Sequence, residues 1–408
     1  MIRTGRAPSS STHVLSLFAL ANLLSYASRN VPFAVYDDLR AAYFVDDGQL
    51  GWLGTAFILP HALATLPVGW FGDRVDRRRL VALGLVIASV GSVLGAVAPT
   101  FELVLASRFL VGFGLAAIVP VANAIIGDSF GGAKKAFALA IFNLGLFLGG
   151  VAGFGVGAAL GFPLGWIVIA APAVVVAGAL LAIELPPGPP PSESLSRSTT
   201  KLRRDAVIIL RIPTVRRLMA ATTVMAFAAG GMQAWLLDFL QNEKHMSKGA
   251  ATTLLGICMV GGLAGVVAGG RVADRLSRGR VWGRPGAIAL GMALTVPCAA
   301  GCVFAPDGPL LYAASMGTMF FISWYHGPMA ASVDDVAPGP LAATAQAVVI
   351  AFMHLVGTAP SSRVIGELYE QWGRREAMMV ATAAVAVAAL LTARAFSTFG
   401  SDAARAEL

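Results

Sequence analysis

Six ionisable side chains stand inside stretches that are otherwise apolar: Arg29, Arg108, Arg363, His61, His326 and His354. A charge surrounded by hydrocarbon is costly, so each is a functional candidate by position alone. Arginine stays charged at physiological pH and presents a planar fork of donors that suits a phosphate or carboxylate. Histidine titrates near neutrality and can carry a proton; its competing reading is a hydrogen bond between helices. For Arg29 and Arg108 the competing readings are snorkelling to the interface or pairing with Glu102 or Asp47. Arg363 and Glu367 are four residues apart, share a helical face, and read as a structural ion pair. Asp46 and Asp47 precede a long apolar run, where they cap helix N–H groups or, in a sharper reading, meet Arg29 or Arg108. No spacing of Cys258, Cys298, Cys302 and the histidines marks a metal site or a disulfide framework. Nor is there a nucleophile–base pair or phosphate loop, so neither an enzyme nor a cofactor is expected.

The elements that must position these groups are membrane helices. The 408 residues are 57% hydrophobic and 13% charged, with mean hydropathy +0.74. Soluble chains carry about a quarter charged residues, so most of this surface meets lipid. A span needs about 20 apolar residues. Twelve are expected, at 14–36, 49–71, 80–98, 101–126, 136–160 and 162–183, then 215–240, 250–272, 285–304, 309–333, 341–368 and 377–396. The start, with only Arg3 and Arg6 before Val14, reads as leading into a retained first span, not a signal peptide. The stretch after Glu184 is Pro-rich, then Ser-rich, then basic at Lys201, Arg203 and Arg204. It reads as a linker, giving an N-terminal bundle 1–184, a linker 185–213 and a C-terminal bundle 214–408.

The net charge of +8 does not point to nucleic acid, because its placement follows membrane topology. Arg74, Arg77, Arg78 and Arg79, Lys134 and Lys135, the central basic segment, and Arg271 to Arg284 all follow even-numbered spans. Arg40, Lys244, Lys248, Arg374 and Arg375 are the sparse basic residues of the opposite loops. The positive-inside rule then puts both termini in the cytoplasm, and a multi-pass bacterial-type inner membrane protein is expected.

An internal repeat supports two parallel halves. Gly69, Asp73, Arg74 and Arg77 after the second span match Gly270, Asp274, Arg275 and Arg278 after the eighth. The shared pattern Gly-x3-Asp-Arg-x2-Arg resembles the loop signature of the major facilitator superfamily, Gly-x3-Asp-(Arg/Lys)-x-Gly-(Arg/Lys)-(Arg/Lys). Asp76 and Ser277 replace its second glycine. The resemblance implies the all-α major facilitator fold of twelve helices in two pseudo-symmetric bundles. The motif reads as a latch that forms and breaks, with Asp73 and Asp274 pairing with basic groups or a facing helix end; the competing reading is a topological anchor. Gly145, Gly149, Gly153, Gly157 and Gly161 recur every four residues and form a bare stripe for close helix packing.

Finer segments resemble the Spinster family of lipid transporters. They are Ser107-Arg108 to Pro120, the run from Ala136 to Gly145, Ser323 to Pro328, and Pro340 to Ala347. Two departures stand out: Leu115 takes the place of a family glutamate, and Ser28, in Ser25-Tyr26-Ala27-Ser28-Arg29, that of a family aspartate. Both arginines remain without those acids, so proton coupling lies elsewhere or is absent. The resemblance implies alternating-access transport of an amphipathic, anionic-headed lipid of the lysophospholipid or sphingoid-phosphate class, bound near the midplane between the halves. Arg29, Arg108, Tyr26, His61, His326 and His354 are the expected polar contacts, and Trp235, Phe239, Met316, Phe320 and Phe321 the apolar ones. Asp47, His61, His326 and His354 are the candidate proton carriers. The partners are then a lipid or amphipathic small molecule and, where transport is coupled, protons, with no nucleic acid, and the chain is expected to be a monomer. The alternative is a proton-coupled exporter of drugs or small organic anions.

Overall fold

The computed structural model describes residues 11–72, 75–130, 132–183 and 199–406. Among the described residues every regular element is helical. The first are α1 (Ser11–Asn30), α2 (Tyr36–Tyr43), α3 (Asp47–Gly72), α4 (Arg77–Ala96), α5 (Phe101–Leu115), α6 (Ile118–Ser129), α7 (Gly132–Leu160) and α8 (Leu164–Ala182). There follow α9 (Thr199–Arg211), α10 (Pro213–Asp238), α11 (Lys248–Ser277), α12 (Gly283–Phe304) and α13 (Pro309–Ile322). The last are α14 (His326–Val336), α15 (Ala342–Phe352), α16 (Ala359–Trp372) and α17 (Arg374–Ala406). Nine helical stretches among the described residues are long and apolar enough to cross a bilayer. The three other expected spans correspond to α1, α3 and the α13–α14 pair. Polar residues dilute α1, where Asn22, Ser25, Ser28 and Asn30 are all buried.

Proline explains the breaks. A proline has no N–H to give the carbonyl four residues earlier, and its ring crowds that carbonyl. Pro120 follows the turn at Ala116–Ala117 that separates α5 from α6. Pro328 follows the 3-10 turn Ser323–Tyr325 that separates α13 from α14. Pro360 follows a π-helical segment, Met353–Thr358, that joins α15 to α16.

The chain forms two compact units, Met1–Val45 with Ala56–Leu195, and Asp46–Thr55 with Ser196–Leu408. In the first, α7 lies along α1 through its glycines. A Cβ at Gly145 would sit 2.9 Å from the Leu23 nitrogen, and one at Gly153 2.6 Å from the Ala27 oxygen. Gly149 meets the Tyr26 Cβ and Gly157 the Ala34 Cβ. Asn22 Nδ2 locks the pair by donating to the Phe142 carbonyl at 2.8 Å.

In the second unit, Val215, Leu218, Met225, Ile288, Met292, Val333, Val385 and Phe399 form a continuous core. Two expectations change here. Part of the expected linker is helix α9, whose Ile209 is fully buried in that core, because its apolar residues fall on one face. The rest of the linker, 184–198, lies outside the described residues. The segment Asp46–Thr55, which includes the first nine residues of α3, also belongs to this unit. Thr55 Oγ1 donates to the Ala359 carbonyl at 2.6 Å, and a Cβ on Gly51 would lie 2.6 Å from the Ser362 oxygen.

Candidate functional site

The polar residues of the first unit converge. α1 supplies Tyr26, Ser28 and Arg29, α3 supplies Phe57 and His61, α5 supplies Arg108, and α8 supplies Trp166. Gly112 permits the crossing of α5 on α3, because any Cβ there would run into the Phe57 backbone carbonyl. His61 uses this approach: its Nδ1 lies 3.2 Å from the Gly112 carbonyl, and its ring stacks on Phe57 at 5.6 Å. A neutral imidazole donating from Nδ1 leaves Nε2 as an acceptor. The Arg29 guanidinium lies within electrostatic range of both the Tyr26 hydroxyl and the His61 ring. Tyr26, Arg29 and His61 are all partly exposed.

Arg108 sits behind them and is only 1% exposed. Its Nη2 donates to the Ser28 carbonyl at 2.9 Å, and its guanidinium lies 5.1 Å from the Phe57 ring and 5.4 Å from the Trp166 ring. Among the described residues its Nε and the Trp166 Nε1 have no hydrogen-bond partner. Among the described residues no carboxylate pairs with it, and Leu115, two turns along the same face, is buried. Neither snorkelling nor pairing with Glu102 or Asp47 therefore describes Arg108. It is a buried cation aimed at the backbone of the turn that carries Arg29.

The second-unit candidates separate. Trp235 is fully buried, its Nε1 donates to the Ser362 carbonyl at 2.9 Å, and its ring packs on Tyr369 at 4.7 Å. Phe239 is also fully buried. Both are packing residues in this structure, with no surface for a tail. Phe320 is partly exposed and meets Phe321 and Trp324 edge-on at 5.1 and 5.9 Å, while Met316 is exposed. His326 is exposed beside the Tyr325 ring, and His354 lies in the π-helical segment.

The acidic pair before α3 also resolves. Asp46 accepts from the Gln49 backbone at 2.6 Å while Gln49 Oε1 accepts from the Asp46 N–H at 3.0 Å, a reciprocal capping box. Asp47, at the start of α3 in the second unit, lies 3.8 Å from Arg374. Arg374 pairs more closely, at 3.1 Å, with the buried Asp238, which Asn242 also reaches at 2.9 Å. Asp238 escaped the sequence reading because its partner is 136 residues away. Arg363 pairs with Glu367 and lies over the Trp52 ring.

Of the latch motif, Asp73 and Arg74 lie outside the described residues. Arg77 opens α4 and pairs with Asp128 at the end of α6 at 2.7 Å. The second unit repeats this pair as Arg284 with Asp335, at the same separation of 51 residues. The second motif copy lies on the last turns of α11, with Asp274, Arg275 and Arg278 all exposed. Asp76 takes the signature glycine's place with a negative φ of −60°, so no glycine is required there. It caps α4, accepting from the Arg78 backbone at 3.0 Å, and accepts again from Arg78 Nη2 at 2.8 Å. Arg78 in turn donates to the Ile183 carbonyl at the end of α8.

The Major Facilitator Superfamily model matches residues 18–359. Protein spinster homolog 3 of Danio rerio is 29% identical over 386 residues, covering 87% of this chain and 76% of that protein. Protein spinster of Drosophila melanogaster is 25% identical over 378 residues, covering 87% of this chain and 61% of that protein. Among solved structures, a bacterial homolog of the human lysosomal transporter Spinster, inward-facing and unoccupied, superposes with TM-score 0.82 at 21% identity, covering 97% of this chain and 99% of that one. A variant of the nucleoside transporter NupG gives TM-score 0.78 at 13% identity, covering 95% and 99%. At such identities the structures speak for the fold, and the family model speaks for the family. The chain belongs to the Major Facilitator Superfamily of transporters and is similar to the Spinster proteins within it.

Proposed function

We propose that this protein moves an amphipathic lipid with an anionic head, of the lysophospholipid or sphingoid-phosphate class, across a bacterial-type inner membrane by alternating access. Both termini are cytoplasmic in this reading, and the working unit is a monomer. The observation that carries it is the cationic cluster of the first unit: Arg29 beside Tyr26 and His61, with Arg108 buried behind it and no acid at position 115. Arg29 binds the head through its fork of donors, Tyr26 donates its hydroxyl, and His61 Nε2 accepts from a hydroxyl of the head. Arg108 holds the backbone of α1 and adds positive potential in a medium of low dielectric. Phe320, Phe321 and Met316 supply apolar surface for a tail. With Ser28 and Leu115 in place of acids, substrate binding itself supplies the counter-charge. Asp47, His61, His326 and His354 are the candidate proton carriers.

The test is ligand-induced thermal stabilisation of the purified chain by an anionic and by a zwitterionic lysolipid of equal chain length. The anionic head is expected to bind more tightly, and Arg29→Ala to lose about 2 kcal/mol of that binding, on the scale of charge-assisted hydrogen bonds. Leu115→Glu supplies Arg108 with an internal partner, and should make anion binding weaker at neutral pH and proton-dependent. Equal binding of both heads, unchanged by Arg29→Ala, would remove the lipid-anion reading in favour of the export of drugs or other organic solutes.

A further inference from the structure

An exposed stripe runs the length of α11. Its apolar part is Val260, Leu263 and Val267, at 69%, 36% and 46% exposure, and its last two turns and C-cap carry Arg271, Arg275 and Arg278. Steps of four, four and three residues from Val267 keep these side chains on one helical face. The opposite face, with Gly265 and Gly269, is the one packed against Phe320 and Trp324. Among the described residues none of the three arginines makes an ion pair or hydrogen bond, and Asp274 on the same face closes onto none of them. Just beyond the helix, the Arg280 guanidinium lies 5.0 Å from the Trp282 ring, which stacks on Phe396 of α17 at 4.7 Å and 11°. Tryptophan is enriched at the headgroup level of bilayers.

We propose that this face of α11 binds an anionic phospholipid, with acyl chains along Val260 to Val267 and the phosphodiester held among Arg271, Arg275 and Arg278. The order of chemistry along the helix, apolar then cationic with an interfacial indole alongside, is the order of chemistry along a phospholipid. Guanidinium forks match phosphate oxygens pairwise. Retention of topology by positive charge needs only the number of basic residues near the span, and does not require their alignment on one face. The site is separate from the cluster in the first unit and does not rest on the transport reading.

The test counts lipids retained by the detergent-purified full chain after incubation with dioleoyl-phosphatidylglycerol or dioleoyl-phosphatidylcholine, using native mass spectrometry. Three proteins are compared: the parent, the triple variant Arg271→Ala, Arg275→Ala, Arg278→Ala, and a control triple, Arg204→Ala, Arg211→Ala, Arg216→Ala, which removes the same charge from other exposed positions. A basic residue at an anionic surface is worth roughly a fivefold change in affinity. The parent and the control should therefore retain phosphatidylglycerol over phosphatidylcholine, and the α11 triple should lose at least about tenfold. Should the triple not fold, Arg275→Gln alone is expected to lose about fivefold. Retention of phosphatidylglycerol by the folded α11 variants, or an equal loss in the control triple, would overturn the site.

Discussion

Arg108 is charged, enclosed by two aromatic rings, and joined through one nitrogen to a backbone carbonyl. A buried charge with no ionic partner costs several kcal/mol, and its replacement by an apolar side chain of similar volume is often neutral or stabilising. Arg108→Met should accordingly unfold at the same temperature as the parent or higher, while binding an anionic lysolipid about tenfold more weakly. Thermal scans with and without lysolipid read both quantities. Asp76 offers a test independent of the ligand. The Arg78 hydrogen bond holds its carboxyl below the usual carboxylate range. A carboxyl with a depressed folded pKa contributes stability that is full above its unfolded value of about 3.9 and is lost as pH falls through the folded one. Asp76→Ala should cost about 1 kcal/mol at neutral pH, the worth of a helix cap, with little added by an ion pair that is partly solvated. The gap from the parent should narrow in scans below about pH 4. At this scale the sequence made the chemistry of the cations legible but not their access. Arg29 and Arg108 both read as ligand contacts, yet one is partly exposed and the other enclosed, because Phe57 and Trp166 come from helices far along the chain.

The glycines of α7 act as an element. Gly153 meets the Ala27 backbone, whereas Gly155, two residues on and across the helix, has no described residue within 4 Å of an added Cβ. Gly153→Ala should destabilise by about 1–3 kcal/mol, the cost of overpacking against a surface that cannot yield. Gly155→Ala should be neutral or stabilising by up to about 1 kcal/mol, the helix-propensity difference. Thermal unfolding of the two variants side by side decides this, and equal effects would mean that α7 and α1 are not packed along this stripe. Four-residue spacing made the stripe visible in the sequence because periodicity is local information. The breaks at Ala116–Ala117 and Ser323–Tyr325 were legible only in part: Pro120 and Pro328 are visible, but whether a proline kinks or breaks a helix depends on its neighbours. Helix α9 was missed because polar composition outweighed its apolar face.

Across the whole molecule, the repeat of Gly-x3-Asp-Arg-x2-Arg marked two related halves, and the structure adds a second repeat, Arg77 with Asp128 and Arg284 with Asp335. That pair is invisible in sequence, since nothing local joins a helix start to a helix end 51 residues later. The unit boundary was equally hidden. The first residues of α3 join the second unit through Thr55 and Ala359, which are 304 residues apart. The central proposal is transport of an anionic-headed lysolipid. Its most direct test is uptake into proteoliposomes of a labelled anionic lysophospholipid, beside a zwitterionic lysolipid and a nucleoside, by the parent and by Arg29→Ala. The account predicts protein-dependent uptake of the anionic lysolipid above both others, reduced at least about tenfold by Arg29→Ala, the loss expected for a charge-assisted contact. Uptake of the nucleoside in preference to either lipid, or anionic-lipid uptake that survives Arg29→Ala unchanged, would contradict it.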